Sequence, residues 1–356
     1  MKRAVLYLAP FPPVVNGQSI ASQELANLLQ AEGIELRRID LNIKRSGALG
    51  MFGRLRRLVR AAISIISSKS APIVYLSLNA NLGMVFTLLY VVVARIKRGR
   101  VIIHHHTRRH LVNWNFLFFL ISKLSGNNTF HIVICEVMAS QLRSKYSCQR
   151  RVYSLSNVYY MKPVSFIKKG SIGETSGVVL GMLGNLSYQK GLGVALRSFQ
   201  RAKKLGLAKK LILAGPADSY EVVRQIEAYR SMGVEWLGGV YSQKKKEEFF
   251  GSIDVFLFPS HYINETQGIV NLEALSSGTP VIATKICCIE SDLDCACCCL
   301  VQEDGEFSFE LVAYLRRLSS YGLRRASIDA LDRYRVLYNR STKEYSQVAK
   351  LFASDN

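Results

Sequence analysis

The stretch NETQGIVNLEALSSGTPVIA, residues 264–283, places Glu265 and Glu273 eight positions apart. Before it the apolar run VFLFPS delivers the chain to a loop, HYINETQG, and the spacing of Ile269, Leu272 and Leu275 starts a helix just after Gly268. Glu265 is therefore expected in the loop and Glu273 in the helix. The first N–H groups of a helix have no partner inside it, so the backbone near Gly268 and Ile269 makes an anion site. Carboxylates on either side of that site could each accept hydroxyl hydrogen bonds from a sugar ring flanking a diphosphate. A retaining glycosidase would instead need the two about 5 Å apart, closer than a pair straddling a helix start is expected to stand. The plain alternative is a helix with one exposed and one capping glutamate.

Other residues suit the same chemistry. Lys190 stands beside Gly191 in GMLGNLSYQKGL (181–192), a strand-to-helix loop where a flexible point charge suits phosphate. Gly17, in PFPPVVNGQSIASQELANLL, allows close approach of backbone to a ligand, or simply makes a tight turn. VIIHHHTRRH ends a strand with three histidines, and strand alternation puts His104 and His106 on one face and His105 on the other. A metal there would need a second ligand cluster, and none is recognised. Cys287, Cys288 and the run CACCC (295–299) are read as small core residues and not as a zinc frame. No metal or cofactor is expected.

Charge narrows the partners. The chain of 356 residues carries a formal net charge of +21, and residues 1–150 hold 21 Lys+Arg against 5 Asp+Glu, a local excess of +16. The first half wants an anion: nucleic acid, an anionic membrane surface or a nucleotide-type substrate. Between Leu49 and Ile66 the apolar residues Met51, Phe52, Leu55, Leu58, Val59, Ala62, Ile63 and Ile66 fall on one helical face, with Arg54, Arg56, Arg57 and Arg60 opposite. Such a helix can lie in an anionic bilayer interface, or it can pack on a core with an arginine-rich outer side. Ile73 to Ala94 has no charge and tempts a membrane-spanning reading, but Asn79 and Asn81 interrupt it, favouring a buried strand and then a buried helix.

The elements that must position these groups follow from apolar runs alternating with helical periods. AVLYLA (4–9), a helix at 21–33, IVYLSL (73–78), a helix at 82–98, VIIHHH and IVICE (132–136) make one unit. VVLGMLG (178–184), LRSFQRAKKLG (196–206), KLILAG (210–215), VEWLGGV (234–240), KKKEEFFGSI (244–253), VFLFPS (255–260) and PVIAT (280–284) make another. Near-continuous apolar strands separated by helices mark parallel sheets covered on both faces. The expected organisation is α/β, two doubly wound Rossmann-like domains: residues 1–160, a linker at 161–177, residues 178–330, and a C-terminal helix at 331–356 crossing back to the first. Ligands of such sheets lie beyond the carboxyl ends of the strands, so the site is expected in a cleft between the domains.

EtqGivnlEAlssGtPVIAt also resembles the E-x7-E signature of the GT-B glycosyltransferases of family 4, and the similarity runs over nearly the whole chain in order. The resemblance implies that Glu265 contacts a donor sugar and Glu273 a ribose, that Lys190 holds the diphosphate, and that a histidine after the HHH strand, His106 or else His105, stands near the donor sugar. Gly17, Gly215, Gly268 and Ile269 would complete the donor site. Where the family usually has Arg, this chain has Asn185, and the first of two family glycines reads Asn16. The implied activity is metal-independent, retaining transfer of a sugar from a nucleotide-sugar to a lipid-linked or oligosaccharide acceptor, in the assembly of O-antigen, capsule or exopolysaccharide.

Two competing classes remain at this point. A nucleic-acid binder would interleave basic residues with aromatics on one surface, which is not seen; a sugar-nucleotide epimerase of the same architecture would convert the donor without an acceptor. The short apolar run before Pro10 is too brief for a signal peptide, so the reading is cytoplasmic, with reduced thiols, peripheral to the inner face of the plasma membrane.

Overall fold

The computed structural model describes residues 4–12, 17–42, 48–68, 71–78, 83–146, 151–164, 177–240, 242–302 and 306–353, with the side chains of 48–55 left aside. The chain divides into two compact units, Met1–Met161 with Arg340–Asn356, and Lys162–Asn339.

The first unit runs β1 (Val5–Ala9), α1 (Gly17–Ala31), β2 (Leu36–Asp40), α2 (Ala48–Ile66), β3 (Ile73–Ser77), α3 (Met84–Ile96), β4 (Arg100–His104), α4 (Arg109–Val112), α5 (Phe116–Leu124), β5 (Thr129–Val133), α6 (Glu136–Tyr146) and β6 (Val152–Ser154). Its six strands are parallel in the order β2-β1-β3-β4-β5-β6. The order reverses at β1 and β3, and there Gln18 donates to Ser77 Oγ at 2.8 Å, pinning the start of α1 to the end of β3. Tyr7 and Tyr75 stack with ring centres 4.1 Å apart in a core that α1 covers, and Tyr345, Val348, Leu351 and Phe352 from the end of the chain are buried in that same core. The stretch 73–94 is a strand and a helix, and among the described residues no helix is long and apolar enough to cross a membrane.

The second unit runs β7 (Val178–Leu183), α7 (Leu192–Lys204), β8 (Ala208–Ala214), α8 (Tyr220–Ala228), β9 (Val234–Trp236), α9 (Gln243–Ser252), β10 (Val255–Phe258), α10 (Ile269–Ser276), β11 (Val281–Thr284), α11 (Cys288–Asp292), β12 (Cys299–Val301) and α12 (Phe307–Tyr321). A long helix, α13 (Leu323–Ala349), follows, starting earlier than the sequence suggests. Six parallel strands lie in the order β12-β11-β10-β7-β8-β9. Here the order reverses between β7 and β10, so the loops after these two strands diverge and leave a crevice at their carboxyl ends.

The amphipathic reading of α2 needs correction. Leu58 and Ala62 are buried, but Val59, Ile63 and Ile66, assigned to the same face, are exposed, Ile63 at 54% and Ile66 at 55%. Leu58, Ala61 and Ile65 form the inward stripe instead, with Tyr90 of α3 donating to the Leu58 carbonyl at 3.2 Å. Arg57 is half-buried and donates to the Asn42 carbonyl at 2.8 Å. The side chains of Met51, Phe52, Arg54 and Leu55 lie outside the described residues, as do Asn16, Asn79, Asn81 and residues 165–176 of the expected linker.

Candidate functional site

At the crevice of the second sheet, the loop after β7 carries Asn185 and Lys190, and the loop after β10 carries Glu265. Gly191 holds them together: its φ is +83°, and a Cβ would fall 1.9 Å from the Pro259 carbonyl oxygen, so only glycine lets the start of α7 touch the end of β10. Gly215 does the same between neighbouring strand ends, where a Cβ would fall 1.9 Å from the Gly184 oxygen. With the loops so placed, Lys190 Nζ forms an ion pair with Glu265 Oε2 and stands 4.8 Å from the centre of the Tyr262 ring. Ser260 Oγ donates to the same carboxylate oxygen at 3.4 Å. Asn185 is exposed, and Lys190 and Glu265 keep partial access to solvent.

Gly268 caps α10 in the left-handed region, φ 60°, and Ile269 opens the helix, as the sequence indicates. Glu273 sits one turn in, 5% exposed, and accepts from Lys246 Nζ of α9 at 2.5 Å. Burial pushes the Glu273 carboxyl upward while the Lys246 ammonium pulls it back. Among the described residues its other oxygen, Oε2, has no partner, and neither does the side-chain amide of buried Asn271 on the same helix. Buried polar atoms are nearly always paired, so these orphans mark where a hydroxyl-rich ligand would be satisfied. The structure thus brings Lys190 together with Glu265 and Glu273 together with Lys246. Lys246 and Asn271 were missed because nothing in KKKEEFF or IVNLE sets one lysine or one asparagine apart from its neighbours.

In the first unit Gly17 is the first residue of α1 and is exposed. The histidines share faces as strand alternation requires: His104 and His106 rings lie 4.0 Å apart, and His105 points the other way. His105 is fully buried, its Nδ1 paired with His110 Nε2 at 2.9 Å and its Nε2 with His131 Nδ1 at 3.1 Å. This chain of imidazoles places His105 in the core, so His106, 8% exposed, is the better placed of the two. His104 Nδ1 bonds the Tyr75 hydroxyl at 2.7 Å. Burial lowers all five: His106 and His110 to about 3, His131 to about 4, and His104 and His105 well below the ordinary value, with neighbouring imidazoles adding to the effect. They are neutral at physiological pH.

One cysteine group differs from its sequence reading. Cys295, Cys297 and Cys298 bring their Sγ atoms within 4.8 Å of one another. Cys295 and Cys298 do stand in C-x2-C spacing, a frame the core-packing reading passed over. These three thiols could hold a soft metal ion, although structural zinc takes four ligands.

Comparison with known proteins gives these positions a context. Residues 166–293 match the family model described as Glycosyl transferases group 1. An uncharacterized glycosyltransferase of Methanocaldococcus jannaschii is 30% identical over 134 residues, 36% of this chain and 33% of that protein. Glycogen synthase of Alkalilimnicola ehrlichii is 32% identical over 115 residues, 32% of this chain and 23% of that protein. The matched part thus spans a third or less of these relatives. Among solved structures, Anabaena HepE in complex with UDP and glucose superposes with a TM-score of 0.66 at 15% identity, covering 98% of this chain and 99% of that one. Sucrose-phosphate synthase from Thermosynechococcus elongatus gives 0.73 at 15% identity, covering 99% and 98%. WaaG, a glycosyltransferase involved in lipopolysaccharide biosynthesis, gives 0.63 at 14% identity, covering 99% and 100%. The fold is that of the GT-B type, two doubly wound α/β units.

Proposed function

We propose that the protein is a retaining glycosyltransferase that takes its sugar from a nucleotide-sugar held by the second unit. The observation that carries this reading is the Lys190–Glu265 pair at the β7/β10 switch point, inside the segment that matches the glycosyl transferases group 1 model. The donor diphosphate takes Lys190 as its counter-ion, with N–H groups at the start of α10 completing the anion site. Both are in place before the glycosidic bond breaks, so the charge developing on the leaving diphosphate meets fixed dipoles rather than reorganising water. Glu265, released from Lys190, accepts a hydroxyl of the donor sugar, and Glu273 Oε2 accepts from the ribose. Lys246 works against the upward push of burial on the Glu273 carboxyl and so favours its ionised, accepting form. Attack on the face from which the diphosphate departs retains configuration, and no metal is required because Lys190 and the helix supply the positive charge.

The acceptor is assigned to the first unit, as a lipid-linked or oligosaccharide acceptor of surface-polysaccharide assembly at an anionic membrane surface. Two features of that unit support the membrane part. Val59, Ile63 and Ile66 of α2 and Val85, Leu89 and Ile96 of α3 are large apolar side chains left exposed on two helices that pack together, and Arg56, Arg60 and Arg95 are exposed beside them on the same helices. Apolar insertion flanked by arginine suits a bilayer carrying anionic headgroups.

The test is thermal-shift screening against UDP, GDP and CMP and their sugars, since a ligand that binds only the native state raises the melting temperature. One nucleotide is expected to stabilise the wild type and to lose that effect in Glu273→Ala. No response to any of them would defeat the transferase reading.

A further inference from the structure

The first unit contains a pocket of about 240 Å³ whose lining includes Thr107, Arg109, His110, Asn113 and Trp114. It is built by the segment that leaves β4, turns through α4 and enters α5. That segment is fixed from α6: the Tyr146 hydroxyl donates to the His110 carbonyl at 2.6 Å and accepts from the Asn115 N–H at 2.9 Å, and Lys145 Nζ donates to the Val112 carbonyl at 2.5 Å. Asn115 accepts from the Phe118 N–H at 3.0 Å and caps α5. A loop tied at this many points pays little ordering entropy when a ligand arrives.

Trp114 is 57% exposed although its ring lies 5.7 Å from Phe119 and 6.2 Å from Phe116, so it is held in place while much of it stays open. Arg109 is exposed and makes no ion pair among the described residues. His110 is 2% exposed, and its Nδ1 has no partner among the described residues. In the imidazole chain either direction of proton donation leaves that nitrogen as one half of a hydrogen bond, and a hydroxyl, being donor and acceptor, completes either half.

We propose that this pocket is the acceptor subsite, and that it takes a single sugar ring carrying a phosphate. The proposal rests on the transferase reading above and names the acceptor's chemistry. A pyranose has an apolar face of C–H groups that lies flat on an indole, and a rim of hydroxyls that Thr107, Asn113 and His110 can meet. The volume is below the roughly 300 Å³ at which pockets for drug-sized ligands begin, which suits one ring and not a chain. Arg109 supplies the planar, permanently charged fork that phosphate prefers.

The chain's two tryptophans, Trp114 and Trp236, make the test direct. Emission is followed while glucose, galactose and N-acetylglucosamine are added, then their 1-phosphates, then the decyl esters of those phosphates below micelle formation. At least one 1-phosphate is expected to give a saturable change in the wild type that Trp114→Phe abolishes. Calorimetry then separates signal from binding: Trp114→Ala loses about tenfold in affinity while Trp114→Phe stays close to the wild type. Arg109→Gln is expected to weaken the phosphorylated sugar by about tenfold and to leave the plain sugar unchanged. Tighter binding of the esters identifies a lipid-linked source, and equal binding a free sugar phosphate. No saturable response, or one that survives in Trp114→Phe, overturns the proposal. A protein stabilised by a nucleotide but silent at Trp114 loses the pocket and keeps the transferase reading; silence in both assays removes both.

Discussion

Five buried, neutral histidines in one unit make its stability depend on pH in a direction that can be worked out. His106, His110 and His131 have folded-state values of about 3, 3 and 4. The folded state therefore refuses protons that the unfolded chain accepts below about pH 6.5. Their contribution is complete above the unfolded value and is lost progressively as the pH falls from there through the folded values. Going from about pH 7.5 to about pH 5.5 costs each histidine on the order of 1 kcal/mol, or about 4 kcal/mol for these three, with His104 and His105 still to be added. Against a total stability of about 5–15 kcal/mol, and at about 2–4 °C per kcal/mol for a unit of this size, the melting temperature should fall by about 8–16 °C or more. The assay is a fluorescence melt of Trp236→Phe, which leaves Trp114 reporting on the first unit alone; Trp114→Phe reports on the second. The second unit should change much less, since its one histidine, His261, is exposed. A first-unit melting temperature that moves by less than about 2 °C would show that these imidazoles take up protons without unfolding, and the sealed-core account would be wrong.

Further outcomes follow from individual contacts. Lys190→Ala should abolish the nucleotide-induced thermal shift and also cost about 1–3 kcal/mol without ligand, because the Lys190 and Glu265 side chains are only 28% and 11% exposed and the carboxylate would lose its cation. Lys246→Met, which leaves the buried Glu273 carboxylate without its cation, should cost about 1–3 kcal/mol in denaturant unfolding of the second unit, and Glu273→Gln in the same background should recover part of it. Gly191→Ala should destabilise by more than about 1 kcal/mol, since its Cβ meets backbone and not a movable side chain; a wild-type midpoint would mean that the α7 loop can step away from Pro259. Ile63→Asp with Ile66→Asp should cut co-sedimentation with phosphatidylglycerol vesicles at least about tenfold, as two large apolar side chains leave the bilayer, and unchanged binding would reject α2 as the docking element.

The central strands were legible because burial on both faces leaves a continuous apolar run, as in VLYLA and VFLF. The strands that sequence reading passed over are edge strands or next to nothing in length. β2, LRRID, pairs only with β1 and is not fully buried at any position, and β12 covers three residues and begins in a cysteine run. Glu265, Glu273 and Lys190 were legible as candidates because glycines punctuate the loops around them. What spacing does not encode is who meets whom. Lys190 and Glu265 are 75 positions apart and Lys246 and Glu273 are 27 apart, and both pairs depend on the strand reversal that brings β10 beside β7. The split apolar face of α2 was hidden for a related reason, because a helical wheel ranks residues by direction, and which direction is inward depends on where α3 lies.

The burial of Tyr345, Val348, Leu351 and Phe352 against α1 and the strands of the first sheet has a consequence for biosynthesis. Residues 4–161 leave the ribosome before the second unit, yet their core lacks part of its interior until residues 345–352 emerge. The ordinary sequence of events, in which the domain made first is also finished first, is therefore reversed: the second unit has all of its chain while the first still waits. A nascent chain stalled before residue 340 would present an open apolar seam on the first unit, a target for chaperones, and loss of residues 345–352 would register as damage to the core around Tyr7 and Tyr75.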